Sequence, residues 1–201
     1  MSEIKMDWDK EIETFFDLYE VCVTQTLESQ DKLIGDLCSN VLNILFISLL
    51  KLKKDLSKRV LEFYESRENL LINSLLHSKE FQIRKSTQHL ISKLISVEEE
   101  NRNSVFKILL TFLPKLSSEL CSSKALFFFN CLKEILSFFN EEHYEKFNLK
   151  DLFSFCYNTL KQLPINEPKN CKPEETDETL VGVLQILCIS AQKFKQEILN
   201  K

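Results

Sequence analysis

Glycine is nearly missing from this chain, with only Gly35 and Gly182 among 201 residues. P-loops, dinucleotide-binding turns, nucleophile elbows and kinase glycine loops all need glycines at close spacing, so those enzyme classes are excluded. Alanine is equally scarce, and four arginines stand against 22 lysines, a bias that a genome's codon composition explains as well as any function. Long apolar runs are missing too. The longest, at 41–50, is interrupted by Asn43 and Ser48, and a membrane-spanning helix needs about 20 residues. The charged start, with Glu3, Lys5, Asp7 and Asp9, lacks the apolar stretch of a secretory signal. With a net charge of −4 and little clustering of Lys and Arg, no nucleic-acid partner is expected.

What is present is helical periodicity. Ile83, Thr87, Leu90, Ile91 and Leu94 fall on one helix face, as do Phe128, Leu132, Ile135, Leu136 and Phe139. Leu180, Leu184, Leu187, Ala191, Phe194 and Ile198 draw a third stripe. No segment alternates as a strand would, so the fold class is all-α. Asp9, Ser122, Asn148 and Asp177 are candidate N-caps, and Pro114 should end or kink the helix before it. These signals predict helices over about 8–28, 31–53, 56–77, 80–96, 101–113, 122–140, 149–162 and 177–199. The whole chain, 1–201, reads as one domain. An exposed loop is expected at 163–176, which carries Pro164, Pro168 and Pro173.

A weak internal repeat organises these helices. Leu90, Ile91, Leu94 and Ile95 align with Cys131, Leu132, Ile135 and Leu136 at a spacing of about 41 residues. Leu109, Leu110 and Phe112 precede Leu152, Phe153 and Phe155 by about 43, and the 41–50 helix precedes that at 90–95 by about 47. Periods of roughly 40–47 are those of HEAT and armadillo arrays. The corner at 78–84, a short polar turn leading into Ile83 and Arg84, resembles the inter-helix corner of such repeats, with Thr87 in the small-residue position. The resemblance implies an α-solenoid, a right-handed superhelical stack of antiparallel helices; an irregular helical bundle is the alternative.

Candidate chemistry is sparse. The seven cysteines include no Cys-x-x-Cys pair, and the three histidines form no zinc motif. Cys131 with His143, or Cys156, could furnish a thiolate nucleophile, but Cys131 stands beside Leu132 and Ile135 on an apolar face. His77 and His89 read as helix-edge residues. The basic run at 51–59 could take an anion; alternatively it closes a helix, where the dipole favours cations. Acidic residues cluster at 7–20, 98–100 and 141–142 and read as solvated turns. Phe127, Phe128 and Phe129 cannot all face one core, so part of that run should meet a neighbouring repeat or a partner. Phe194, Ile198 and Leu199 do not look like a polar capping helix, which suggests that the stack continues or packs on something else. No catalytic, metal or cofactor-binding residue is assigned, and no cofactor is expected.

The segment containing Asp177, Glu178, Leu180, Gly182, Leu184 and Leu187 resembles a helix in the HEAT/armadillo-like region flanking the catalytic domain of very large ubiquitin-specific proteases. That family's cysteine and histidine boxes are not in this chain. The resemblance therefore implies a non-catalytic fragment or paralogue, with ubiquitin-pathway components among its partners. The principal expectation is a non-catalytic, protein-binding scaffold segment, cytoplasmic or nuclear, whose partners are other proteins. A small transport or assembly adaptor is a third reading.

Overall fold

The apolar stripes fold as helices throughout. The computed structural model describes residues 8–29, 32–78, 80–119, 125–162 and 173–195, and no strand occurs among them. In chain order the helices are α1 (Trp8–Ser29), α2 (Lys32–Ser66), α3 (Glu68–Ile72) with a π-helical turn at Asn73–His77, α4 (Phe81–Val97), α5 (Glu99–Glu119), α6 (Leu126–Phe138), α7 (Glu141–Lys146), α8 (Leu149–Gln162) and α9 (Pro173–Lys193). None of the described helices is long and apolar enough to cross a membrane.

Several boundaries differ from the sequence expectation. The break expected between 53 and 56 is absent, since no glycine or proline stands near residue 54 and α2 stays helical from Lys32 to Ser66; the rest of the helix expected at 56–77 divides into α3 and the π-helical turn. A straight rod would hold Cys38 and Tyr64 roughly 39 Å apart, yet both face Tyr19 and the Cys38 thiol perturbs Tyr64 directly. The two halves of α2 therefore fold back beside each other. Pro114 does not end α5, which runs on to Glu119; buried Phe112 and Leu113 on one side of it and Leu116 on the other hold both turns in the core. Asp177 lies inside α9, which starts four residues earlier, at Pro173, a residue whose missing N–H costs least in a first turn. The tail of the expected 163–176 loop is thus helical, while 163–172 and Ser122 lie outside the described residues. Asp9 falls within α1.

Asn148 does stand directly before α8. It takes φ 47, a left-handed value that Asn tolerates better than most residues. Its amide donates to the Asp151 carboxylate, and its carbonyl accepts from the Asp151 N–H at 3.0 Å. Helix α7 was not anticipated, although Asn140 followed by Glu141 and Glu142 is an N-terminal signal.

Contacts fix the directions of the helices. Ser39 bonds Ser86 at 2.9 Å, and the Gly35 Cα lies against Glu80, so the first half of α2 runs parallel to α4. Phe81 meets Phe127 and Ser92 bonds Glu134 at 2.5 Å, so α4 runs parallel to α6. Gly182 abuts Phe129 and Lys193 reaches the carbonyls of Ser137 and Phe139, so α6 runs parallel to α9. Helix α5 runs the opposite way. Asn101 bonds back to the Leu94 carbonyl from α5, and Phe106 packs on Phe139. Helix α1 lies parallel to the second half of α2 through Glu13–Arg59, Phe16–Phe63 and Glu20–Arg67. The apolar core lies between these helices.

Candidate functional site

The cysteine expectations can be settled at the level of atoms. Cys22, Cys38, Cys131 and Cys156 are buried, and burial pushes each thiol above its ordinary pKa, Cys156 up to about 12. A nucleophilic cysteine needs the opposite shift. His143 is stacked on Phe139 with ring centroids 4.5 Å apart. Its Nδ1 engages Asn140, accepting the backbone N–H at 3.3 Å, and its Nε2 lies 3.8 Å from Glu99 Oε1. Both ring nitrogens are thereby committed away from Cys131, and the imidazole serves the start of α7. His89 is exposed on α4, as a helix-edge residue should be. The side chain of His77 lies outside the described residues.

The charged clusters also resolve. The run at 51–59 lies within the span of α2, between the two halves that fold back beside each other. Among its described members, Lys58 faces Glu62 one turn away, and Arg59 pairs with Glu13 of α1 at 2.7 Å. With Arg67–Glu20 at 2.6 Å, two of the acidic residues taken for solvated turns instead tie α1 to α2 and to the α2–α3 junction. They flank a shallow cleft of about 220 Å³ whose floor is the stacked Phe16–Phe63 pair. A second cleft, of about 330 Å³, lies where α2 meets the α4–α5 corner; Asp55, Glu62, Glu65, Glu98 and Glu100 line it around Leu61. No group of His, Cys, Asp or Glu side chains among the described residues is arranged to hold a metal ion.

Sequence reasoning missed a buried hydroxyl relay. Tyr64 O–H donates to the Tyr19 hydroxyl at 3.4 Å, Tyr19 donates to Ser74 Oγ, and Ser74 donates to the Leu70 carbonyl at 2.7 Å. The relay ties α1, α2, α3 and the π-helical turn together. All three hydroxyl residues are buried, and burial raises the pKa of both tyrosines. Nothing in the sequence singles out Tyr19 and Tyr64, because their partner Ser74 sits on a turn whose π geometry has no sequence signature.

The phenylalanine run does not face a single neighbour, and parts of it meet different helices. Phe127, Phe128 and Phe129 are all buried, since α6 is enclosed on several sides: Phe127 lies against Phe81 and Arg84, and Phe129 against Gly182 of α9. Phe194 is likewise core, packed on Tyr144 and Phe153, while Ile198 and Leu199 lie outside the described residues.

Exposed apolar groups are spread over several described helices, among them Val21 on α1, Phe81 on α4, Phe138 on α6 and Tyr157 on α8. Leu33 (75% exposed), Leu37 and Ile44 form a stripe on α2, on the side opposite Gly35, which faces α4. Val181 and Leu184 with Cys188 form one on α9, turned away from the face where Gly182 meets α6. Both ends of the row α2–α4–α6–α9 thus carry a water-facing apolar stripe. No protein-family model, curated protein or solved structure matches the chain.

Proposed function

We propose that the chain is an α-solenoid segment of HEAT/armadillo type that serves as a non-catalytic protein-binding scaffold. The observation that carries this reading is the offset between touching residues. Ser39–Ser86 and Glu20–Arg67 are 47 apart, Glu13–Arg59 46, Tyr19–Tyr64 45, Asn43–Ser86 43 and Ser92–Glu134 42. Residues one repeat apart meet, as stacking of successive helix pairs requires. The apolar stripes on α2 and α9 are the outward faces such a stack leaves at its ends, and contiguous exposed apolar surface is the usual mark of an interaction site. The committed histidine and the buried thiols support a binding role over a catalytic one.

The test separates folding from binding. Leu33→Glu with Leu37→Glu, and separately Leu184→Glu, alter exposed positions and should leave the melting temperature within a few degrees of the parent. Affinity capture from the native source should return a stoichiometric partner with the parent chain and lose it with one of the variants. Identical capture by all three proteins would sink the scaffold reading, and so would reaction of the folded chain with a thiol-directed ubiquitin probe.

A further inference from the structure

We propose that Ser96 is a phosphoacceptor site for an acid-directed protein kinase. Ser96 is the penultimate residue of α4, exposed, and its hydroxyl donates only locally, to the Lys93 carbonyl at 2.7 Å. Two residues later the backbone is already extended, with Glu98 at φ −145 and ψ 154. The hydroxyl thus sits in a terminal turn, the part of a helix that opens most readily. Turning it outward breaks no contact between helices.

The flanking charges supply recognition. Glu98, Glu99 and Glu100 follow at the second, third and fourth positions, the chain's sole run of three consecutive carboxylates. Glu99 and Glu100 are exposed. A kinase whose substrate groove is lined with Lys and Arg selects by this charge pattern, and a basic-directed kinase is repelled by it. A separate feature suits the product. Arg102 Nη1 donates to the Ile95 carbonyl at 3.0 Å, which sets a guanidinium beside the residue preceding Ser96. Arginine is the preferred partner of a phosphoryl group. Phosphate here would draw Arg102 off the end of α4 and add negative charge beside the acidic cleft that Glu98 and Glu100 line. The site is therefore a charge switch at the α4–α5 corner.

In the transfer, Ser96 Oγ bonds to the γ-phosphorus of ATP as its proton passes to the kinase's base. The bond from that phosphorus to the β,γ-bridging oxygen breaks, and ADP leaves. The experiment incubates the full chain with ATP and a kinase of the casein kinase 2 type, and maps the product by peptide mass spectrometry. Phosphate is expected on Ser96 and lost from that peptide in Ser96→Ala; Glu99→Gln should slow incorporation about tenfold, the effect of one lost charge contact. A basic-directed kinase should leave Ser96 unmodified. No phosphate on Ser96, or a rate indifferent to Glu99→Gln, overturns the assignment.

Discussion

At the scale of single residues, the core is held by groups that must stay neutral. Tyr19 accepts from Tyr64 and donates to Ser74, so Tyr19→Phe strands a buried hydroxyl while leaving the aromatic packing intact. An unsatisfied buried donor costs about 1–3 kcal/mol, and urea unfolding of Tyr19→Phe should show a loss of that size; an unchanged midpoint would mean the relay contributes nothing. The thiols and tyrosines give the protein a pH signature. Cys38, Cys131, Cys156, Tyr19 and Tyr64 all have raised pKa values in the folded state. Unfolded thiols titrate near 8.5 and tyrosines near 10. The unfolded chain therefore binds fewer protons above those values. The stability these groups contribute is complete below about pH 8.5 and is lost as pH rises toward the folded values, which for Cys156 is about 12. Each group adds a slope of up to about 1.4 kcal/mol per pH unit in its window. Denaturation followed between about pH 8 and pH 10 should show a steep fall that becomes shallower in Cys131→Ala; a flat profile would contradict the burial of these thiols.

At the scale of helices, the two glycines separate cleanly. A Cβ at Gly182 would lie 2.6 Å from the Cβ and Cγ of Phe129, a buried ring with nowhere to move. One at Gly35 would meet the flexible Glu80 side chain, whose Cγ can swing away. Gly182→Ala should therefore cost about 1–3 kcal/mol through overpacking between α6 and α9. Gly35→Ala should be neutral, or stabilising by up to about 1 kcal/mol from helix propensity, and thermal melts of the pair decide the point. The same contrast shows what was legible in the sequence. The apolar stripes of α4, α6 and α9 were readable, because burial on one side imposes a 3.6-residue period. The joining of α2, the passage of α5 through Pro114 and the burial of Phe127, Phe128 and Phe129 were not. Each depends on which neighbours enclose a helix, and a local window carries no information about neighbours. Among the candidate-site features, the hydroxyl relay and the apolar stripes on α2 and α9 emerged only from three-dimensional placement.

At the scale of the whole molecule, the stacking we propose has a consequence, a gradient of stability. A helix inside the parallel row, such as α4 or α6, has a neighbour on each side; α4 touches α2 and α6, and α6 touches α4 and α9. Helix α1 packs mainly on α2, while α9 has α6 beside it among the parallel helices and α8 as a further neighbour, and keeps Val181 and Leu184 exposed. When stability is a sum of nearest-neighbour interfaces, units with fewer interfaces open before units with more. Native-state amide exchange should accordingly place α4 and α6 at the global unfolding free energy, with α1 and α9 opening through lower, denaturant-insensitive routes. A destabilising change at the α6–α9 seam, Gly182→Ala, should accelerate exchange in α9 more than tenfold, the effect of somewhat over 1.4 kcal/mol, while leaving α1 close to its parent rate. Uniform acceleration across all helices would mean one indivisible core, and the description as a stack of repeats would then have to be given up for that of an irregular bundle.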